Sequence, residues 1–382
     1  MAKPGSFLLV TWDGGGNVQP LVALANRLRE RGHTVRALAE PSLGTRFRAE
    51  GIAFRPHRTG AEWTHGNPVV GPDATDEQRA AYLRGMADDV AAEARRRATD
   101  ALVVDFMQPD ALCGAERTRI PTAAFLHTLY TRVAMTDFNP MGMIADAARI
   151  NVLRSSMGLS PVERLTDLLD HSARVLVTTV PELDRPDGSL AANVRFVGPI
   201  VEDAGPDSGW TPPWPSADVP LVVVGMGTTP MDETPVLQRA LDALAPLPVR
   251  VFATVGGHLS PADVRPPANA AVTGYVRHAA VMPHAAVFVT HAGLSGIGAA
   301  LACGVPMVCV PLGREQPFNA EHLARTGAGI ALTRDATPAE LRDAVSAVLA
   351  DPSYRGAAAS MREAVAAYGN GARAVDQLEQ LL

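Results

Sequence analysis

A chain of 382 residues is too long for one ordinary core and suits two domains of roughly 150–200 residues each. Its hydrophobic fraction of 47% and charged fraction of 19% exclude a disordered or fibrous protein, and a net charge of −6 gives no general attraction to nucleic acid or anionic membrane. No apolar run approaches the ~18 residues of a spanning helix, the run before Asp13 is too short for a secretory signal, and Cys113, Cys303 and Cys309 stand singly in apolar surroundings; a cytoplasmic protein with reduced core cysteines is expected, without a disulfide set or zinc site.

Residues 7–12 (FLLVTW) are the first apolar run, and Asp13-Gly14-Gly15-Gly16-Asn17 is the turn after it. Val18, Leu21, Val22, Leu24, Ala25 and Leu28 then share one helical face, Gly32 ends that segment, and residues 33–39 read as a second strand. Glycines before a helix start let a ligand approach backbone N–H groups. A nicotinamide enzyme would place Glu40 on the ribose, but the third glycine of G-x-G-x-x-G falls on Gln19, which disfavours that reading. A tight turn without a ligand stays open.

Residues 51–57 read as a third strand, 58–76 as a loop carrying Trp63 and His65, and 77–97 as a helix with an arginine-rich end. A buried strand over 101–104 ends in Asp105, with Met107 just beyond, and another over 122–126 is followed by His127. The stretch 136–144 (TDFNPMGMI) is irregular and rich in methionine; Phe138, Met141 and Met143 suit either a deformable apolar pocket or a core edge. A helix around 161–169 and a strand at 175–179 complete this half, and the proline-rich residues 201–220 read as a linker.

The second half opens with an apolar strand over 221–225 and the turn Met226-Gly227-Thr228-Thr229, whose N–H and O–H groups suit phosphate. Strands over 249–255 and 271–273 follow, the latter leading to Val276. Residues 287–290, His291-Ala292-Gly293-Leu294-Ser295-Gly296, a small-residue helix, the apolar run 305–312 and Gly313-Arg314-Glu315-Gln316 together spell one βαβ unit. Both polar clusters follow strand ends, so one crevice should receive both. Residues 362–374 and 375–382 read as helical, interrupted near 369–371, and no D-x-D triplet for a catalytic metal occurs.

His291-Ala292-Gly293, Gly304-Val305-Pro306, Pro311-Leu312 and Glu315-Gln316, with Asn319 beyond, resemble the donor signature of family 1 glycosyltransferases. These have two Rossmann-like domains facing each other across a cleft (GT-B), and the likeness is greatest to bacterial enzymes that glycosylate antibiotics and other natural products. With a matching amino-terminal half, the pattern covers nearly the whole chain. It implies an α/β protein with an acceptor domain over 1–200, a linker over 201–220, a donor domain over 221–364 and a last helix, 365–382, crossing back to the first domain. It implies an inverting, metal-independent transferase, monomeric or homodimeric, with no resident cofactor and with a sugar nucleotide and a small-molecule acceptor as partners. The donor-site candidates are Gly16, Thr228, Thr229, Val276, His291, Gly293, Ser295, Gly296, Glu315 and Gln316; the acceptor-site candidates are Trp12, Trp63, Met107, Phe138 and Met141.

Two positions depart from the resembled pattern. The family's base, a His or sometimes an Asp, belongs where Asn17 stands in Gly16-Asn17-Val18-Gln19-Pro20, and an amide cannot accept a proton at neutral pH. Asp13, Asp105, Asp137 and His127 are the alternative bases, with Asp105 also a candidate helix cap. Relatives that use UDP-sugars commonly carry a Glu eight residues after the signature His, where it binds the ribose; here that residue is Ala299. A dTDP-deoxysugar, which has no 2′-hydroxyl to satisfy, is therefore preferred over a UDP-sugar. An impaired auxiliary protein of the same fold would accommodate Asn17 as well.

Overall fold

In the computed structural model, which describes residues 3–58, 75–134, 146–202, 210–214 and 219–382, the apolar runs become parallel strands. The first sheet holds β1 (Ser6–Val10), β2 (Thr34–Ala39), β3 (Ala53–Pro56), β4 (Ala101–Asp105), β5 (Thr122–Leu126), β6 (Arg174–Val177) and β7 (Val194–Phe196), in the order β3-β2-β1-β4-β5-β6-β7. The second holds β8 (Leu221–Gly225), β9 (Arg250–Thr254), β10 (Ala270–Thr273), β11 (Val287–Thr290), β12 (Met307–Cys309) and β13 (Gly329–Ala331), in the order β10-β9-β8-β11-β12-β13. Helices cover both faces of such a sheet, so its central strands carry unbroken apolar runs rather than alternation; Phe7 to Val10 and Val287 to Val289 all have 0% exposure.

Each strand order reverses once, between β1 and β4 in the first sheet and between β8 and β11 in the second. Chains leaving neighbouring strands there turn to opposite faces, which opens a crevice at their carboxyl ends. Registry fixes what lies at each opening. Val10 pairs with Val104, setting Thr11 beside Asp105, and Gly225 pairs with Thr290, setting Met226 beside His291.

By compactness the chain forms two units, one of Met1–Thr178, Pro186–Gly198 and Gly371–Leu382, the other of Thr179–Arg185 and Pro199–Asn370. The return to the first unit starts at Gly371. There the helix Ala372–Glu379 is tied to Arg31, which ends the helix Val18–Glu30, through Asp376 at 2.8 Å, and to His33 just beyond it, whose Nε2 lies 3.0 Å from Glu379.

The helix Asp76–Arg96 begins at a reciprocal cap in which Thr75 and Gln78 bond each other's backbone N–H. It packs so closely on the helix Pro109–Thr118 that a Cβ at Gly114 would lie 2.4 Å from the carbonyl oxygen of Ala87. The helix expected around 161–169 shrinks to the single turn Leu165–Leu169, and the helical segment of this region is Ala147–Ser156.

Candidate active site

Asp105, at the end of β4, has 0% exposure, and its two oxygens are fully engaged. Oδ2 accepts from Asn17 Nδ2 at 2.8 Å and from Thr11 Oγ1 at 3.2 Å; Oδ1 accepts from the Met107 N–H at 3.0 Å and lies 3.0 Å from His127 Nε2. Burial pushes the carboxyl up, but His127, Asn17 and the Met107 amide outweigh it and hold it below the ordinary carboxylate range. An ionised carboxylate can only accept, so His127 carries its proton on Nε2 and Nδ1 is the basic nitrogen. The ring lies edge-on to Phe106 at 5.0 Å, and its side chain is 14% exposed.

Asn17 is equally fixed. Its Nδ2 also reaches Thr11 Oγ1 at 3.1 Å and the Trp12 carbonyl at 2.9 Å, while a Cβ on Gly14 would meet its Oδ1 at 2.8 Å. The four candidate bases differ in their surroundings. Asp105 has 0% exposure and both oxygens occupied, one of them by His127. Asp13 is exposed, accepts from Ser42 Oγ at 2.8 Å and stands outside the network. Asp137, Trp63, Phe138 and Met141 lie outside the described residues. Trp12 is buried and Met107 half-buried beside the network, and Gly16 is exposed in the turn above it.

The second opening is built on glycine. A Cβ at Gly293 would lie 2.6 Å from His291 Nε2, and one at Gly227, where φ is +100°, would lie 3.0 Å from it. Only glycine lets the imidazole fit between the turn after β8 and the start of the helix Leu294–Cys303. Burial, helped by nearby His278, pushes His291 down to about 4 against the pull of Gly225 and Glu233, so at neutral pH it is an uncharged hydrogen-bonding group. Thr228 is exposed, Thr229, Val276 and Ser295 are half-buried, and Gly296 is buried against Phe288 and Thr290.

Ala292 takes the left-handed conformation with φ +65°, and Asn319 Nδ2 holds its carbonyl at 3.0 Å. Gln316, expected on the sugar, is instead 3% exposed; its Oε1 accepts from the N–H groups of Leu312 at 2.8 Å and Gly313 at 3.2 Å, and its Nε2 reaches Met231 Sδ at 3.2 Å. Gln316 and Asn319 thus shape the two loops, and Glu315 is half-buried at the start of the helix Gln316–Arg325 with no side-chain capping bond. The sequence showed Asn319 only as part of a pattern; the positive φ of a residue with a side chain is the local feature that needs it. Among the described residues no group of three or more His, Cys, Asp or Glu side chains could hold a metal ion.

The profile of the UDP-glucoronosyl and UDP-glucosyl transferase family matches residues 124–363. The chain is also 31% identical over 426 residues to 4'-demethylrebeccamycin synthase of Lentzea aerocolonigenes, covering 98% of this chain and 99% of that protein. The chain belongs to this glycosyltransferase family. The transferase superimposes on the kitacinnamycin glycotransferase with a TM-score of 0.81 at 24% identity over 100% of both chains. It superimposes on the glycosyltransferase VinC, solved in complex with dTDP, with a TM-score of 0.73 at 21% identity over 98% of this chain and 99% of that one. Both likenesses establish the GT-B fold. No described helix is long and apolar enough to cross a membrane.

The family corrects the nicotinamide reading, and Glu40 agrees with the correction. It has 1% exposure and is pushed up to about 8 by burial and by the charges of Asp13 and Asp105, so it holds its proton at neutral pH, unlike a ribose-binding carboxylate. An unfolded glutamate titrates near ~4.3. Between that value and about 8 the folded chain binds the extra proton, so this group's contribution to stability falls as pH rises through the interval and is level beyond it. Glu40→Gln removes the slope. Urea unfolding is expected to show the variant gaining on the wild type between pH 5 and pH 8, by on the order of a few kcal/mol; a constant difference contradicts the assignment.

Proposed function

We propose that this transferase moves a sugar from a dTDP-sugar to a hydroxyl of a small apolar or aromatic natural product, with inversion and without a metal. The observation that carries the reading is the contact of His127 Nε2 with Asp105 while Asn17 fills the family's base position on the same carboxylate. His127 Nδ1 takes the acceptor's hydroxyl proton as the oxygen attacks the anomeric carbon. The bond from that carbon to the diphosphate breaks, and the leaving nucleotide keeps the electron pair. Asp105 steadies the imidazolium so formed, and Asn17 holds Asp105 in place.

On the donor side, the turn Gly227–Thr228 and the helix start at Gly293–Ser295 offer N–H and O–H groups to a diphosphate. Neutral His291 adds a directed hydrogen bond, and Glu315 is the candidate partner for sugar hydroxyls. Support for the acceptor class comes from the names of the relatives, which include a rebeccamycin-type synthase and a kitacinnamycin enzyme. Support for dTDP comes from the dTDP bound to VinC and from Ala299, 4% exposed on the helix Leu294–Cys303 where UDP-using relatives carry a carboxylate.

Two kinetic outcomes check the reading. His127→Gln is expected to lower kcat about 10²- to 10⁴-fold with little change in KM for the donor, whereas near-full turnover would remove His127 as base. With the wild type, kcat/KM for dTDP-glucose is expected to exceed that for UDP-glucose by about an order of magnitude; equal values would overturn the preference. Absence of both transfer and donor hydrolysis in the wild type would favour an auxiliary protein.

A further inference from the structure

The carboxyl edge of the first sheet carries a second set of polar groups that the proposed chemistry does not use. In the order β3-β2-β1-β4-β5, His57 follows β3, Glu40 follows β2, Thr11 and Asn17 follow β1, Asp105 ends β4 and His127 follows β5. In the half of this row from Asn17 to His127 both Asp105 oxygens and the Asn17 amide nitrogen are bonded, and the amide oxygen of Asn17 is left without a partner. In the other half no polar side-chain atom of Glu40 or His57 is bonded. Glu40 and His57 each have 1% exposure, and no hydrogen bond of ordinary geometry reaches either carboxyl oxygen of Glu40 or either ring nitrogen of His57. Buried polar groups left in this state are destabilising unless something pairs with them.

The charges around Glu40 have one sign. Asp13 in the turn after β1 and Asp105 both act on it, and Tyr82 on the helix Asp76–Arg96 lies within range of Glu40 and of Asp110. The Glu40 and Asp13 amides lie near enough to temper the burial without meeting bonding geometry. His57 stands near Asp89, whose carboxylate is bonded to Arg58 at 2.7 Å, and near the Thr11 carbonyl; burial keeps its ring neutral. The exposed Ser42 donates to Asp13 at 2.8 Å, linking the turns after β1 and β2.

We propose that Glu40, assisted by His57, is a subsite for a basic amine carried by the acceptor, and that it selects acceptors with an ammonium group set apart from the reacting hydroxyl. A cation supplies what this half of the row lacks, namely donors for two carboxyl oxygens and positive charge among acids. Strand spacing of ~4.8 Å puts β2 about three spacings from β5, so hydroxyl and amine are ~10–14 Å apart. That span suits a rigid, extended or polycyclic acceptor. The inference rests on the reading that His127 faces the acceptor hydroxyl.

Calorimetry with the full chain and no sugar nucleotide tests it, so its outcome is independent of whether transfer occurs. The probes are 4-hydroxybiphenyls bearing aminomethyl, methyl or carboxylate at the 4′ position. At pH 7 the amine is expected to bind about 10- to 100-fold more tightly than the methyl compound, and the carboxylate most weakly. Amine binding should release a proton from Glu40, seen as heat that depends on the buffer's ionisation enthalpy. In Glu40→Gln, confirmed as folded by thermal unfolding, the preference should shrink to about twofold and the buffer dependence vanish. Equal affinities in the wild type, no binding of the amine, or a preference unchanged in Glu40→Gln would each overturn the proposal.

Discussion

A buried carboxylate must be satisfied from every side, and Asp105 sets the terms for the first unit. With 0% exposure it would be costly as an anion, yet Thr11, Asn17, Met107 and His127 bring donors from three strand ends and hold it ionised. Each partner is fixed in return. Asn17 is locked in one amide orientation, His127 in one tautomer, and the turn after β1 in one shape. The reversal of strand order between β1 and β4 makes this convergence possible, since it opens the sheet where the loops would otherwise crowd.

The second unit uses the same topology with different chemistry. Its opening lies between β8 and β11, and space there comes from Gly227 and Gly293 rather than from ionic bonds. An uncharged imidazole, two hydroxyl-bearing turns and a helix start make a site that can stabilise growing negative charge through dipoles. Gln316 and Asn319, buried and bonded to backbone, keep the loops in shape. In both units the most buried polar side chains position others, and His127 and Glu315 are less buried than these.

The strands were legible because helices on both faces turn each into a short unbroken apolar run, and the glycine turns marked the strand ends. The donor signature was legible because its residues lie within one βαβ unit. Asp105, Asn17 and His127 could be named singly but not joined, because the bonds between them span 88 and 22 residues and depend on which strands are neighbours. The helix Ala147–Ser156 was missed for a related reason. Its buried face includes Arg154, at 0% exposure and bonded through Nη1 to Glu116 at 2.7 Å, and a charged residue facing inward hides the apolar period. The backbone bonds of Gln316 were not legible because an exposed and a buried glutamine look alike in sequence.

The central claim is that His127 takes the acceptor's proton in the place that Asn17 has vacated. A series of substituted phenols of rising pKa, transferred by the wild type and by His127→Gln, tests it most directly. If His127 is the base, the variant's loss of kcat grows with acceptor pKa, since phenols that ionise unaided need no help and weaker acids need more. A loss of the same size across the series would show that His127 only supports the site and would contradict the account.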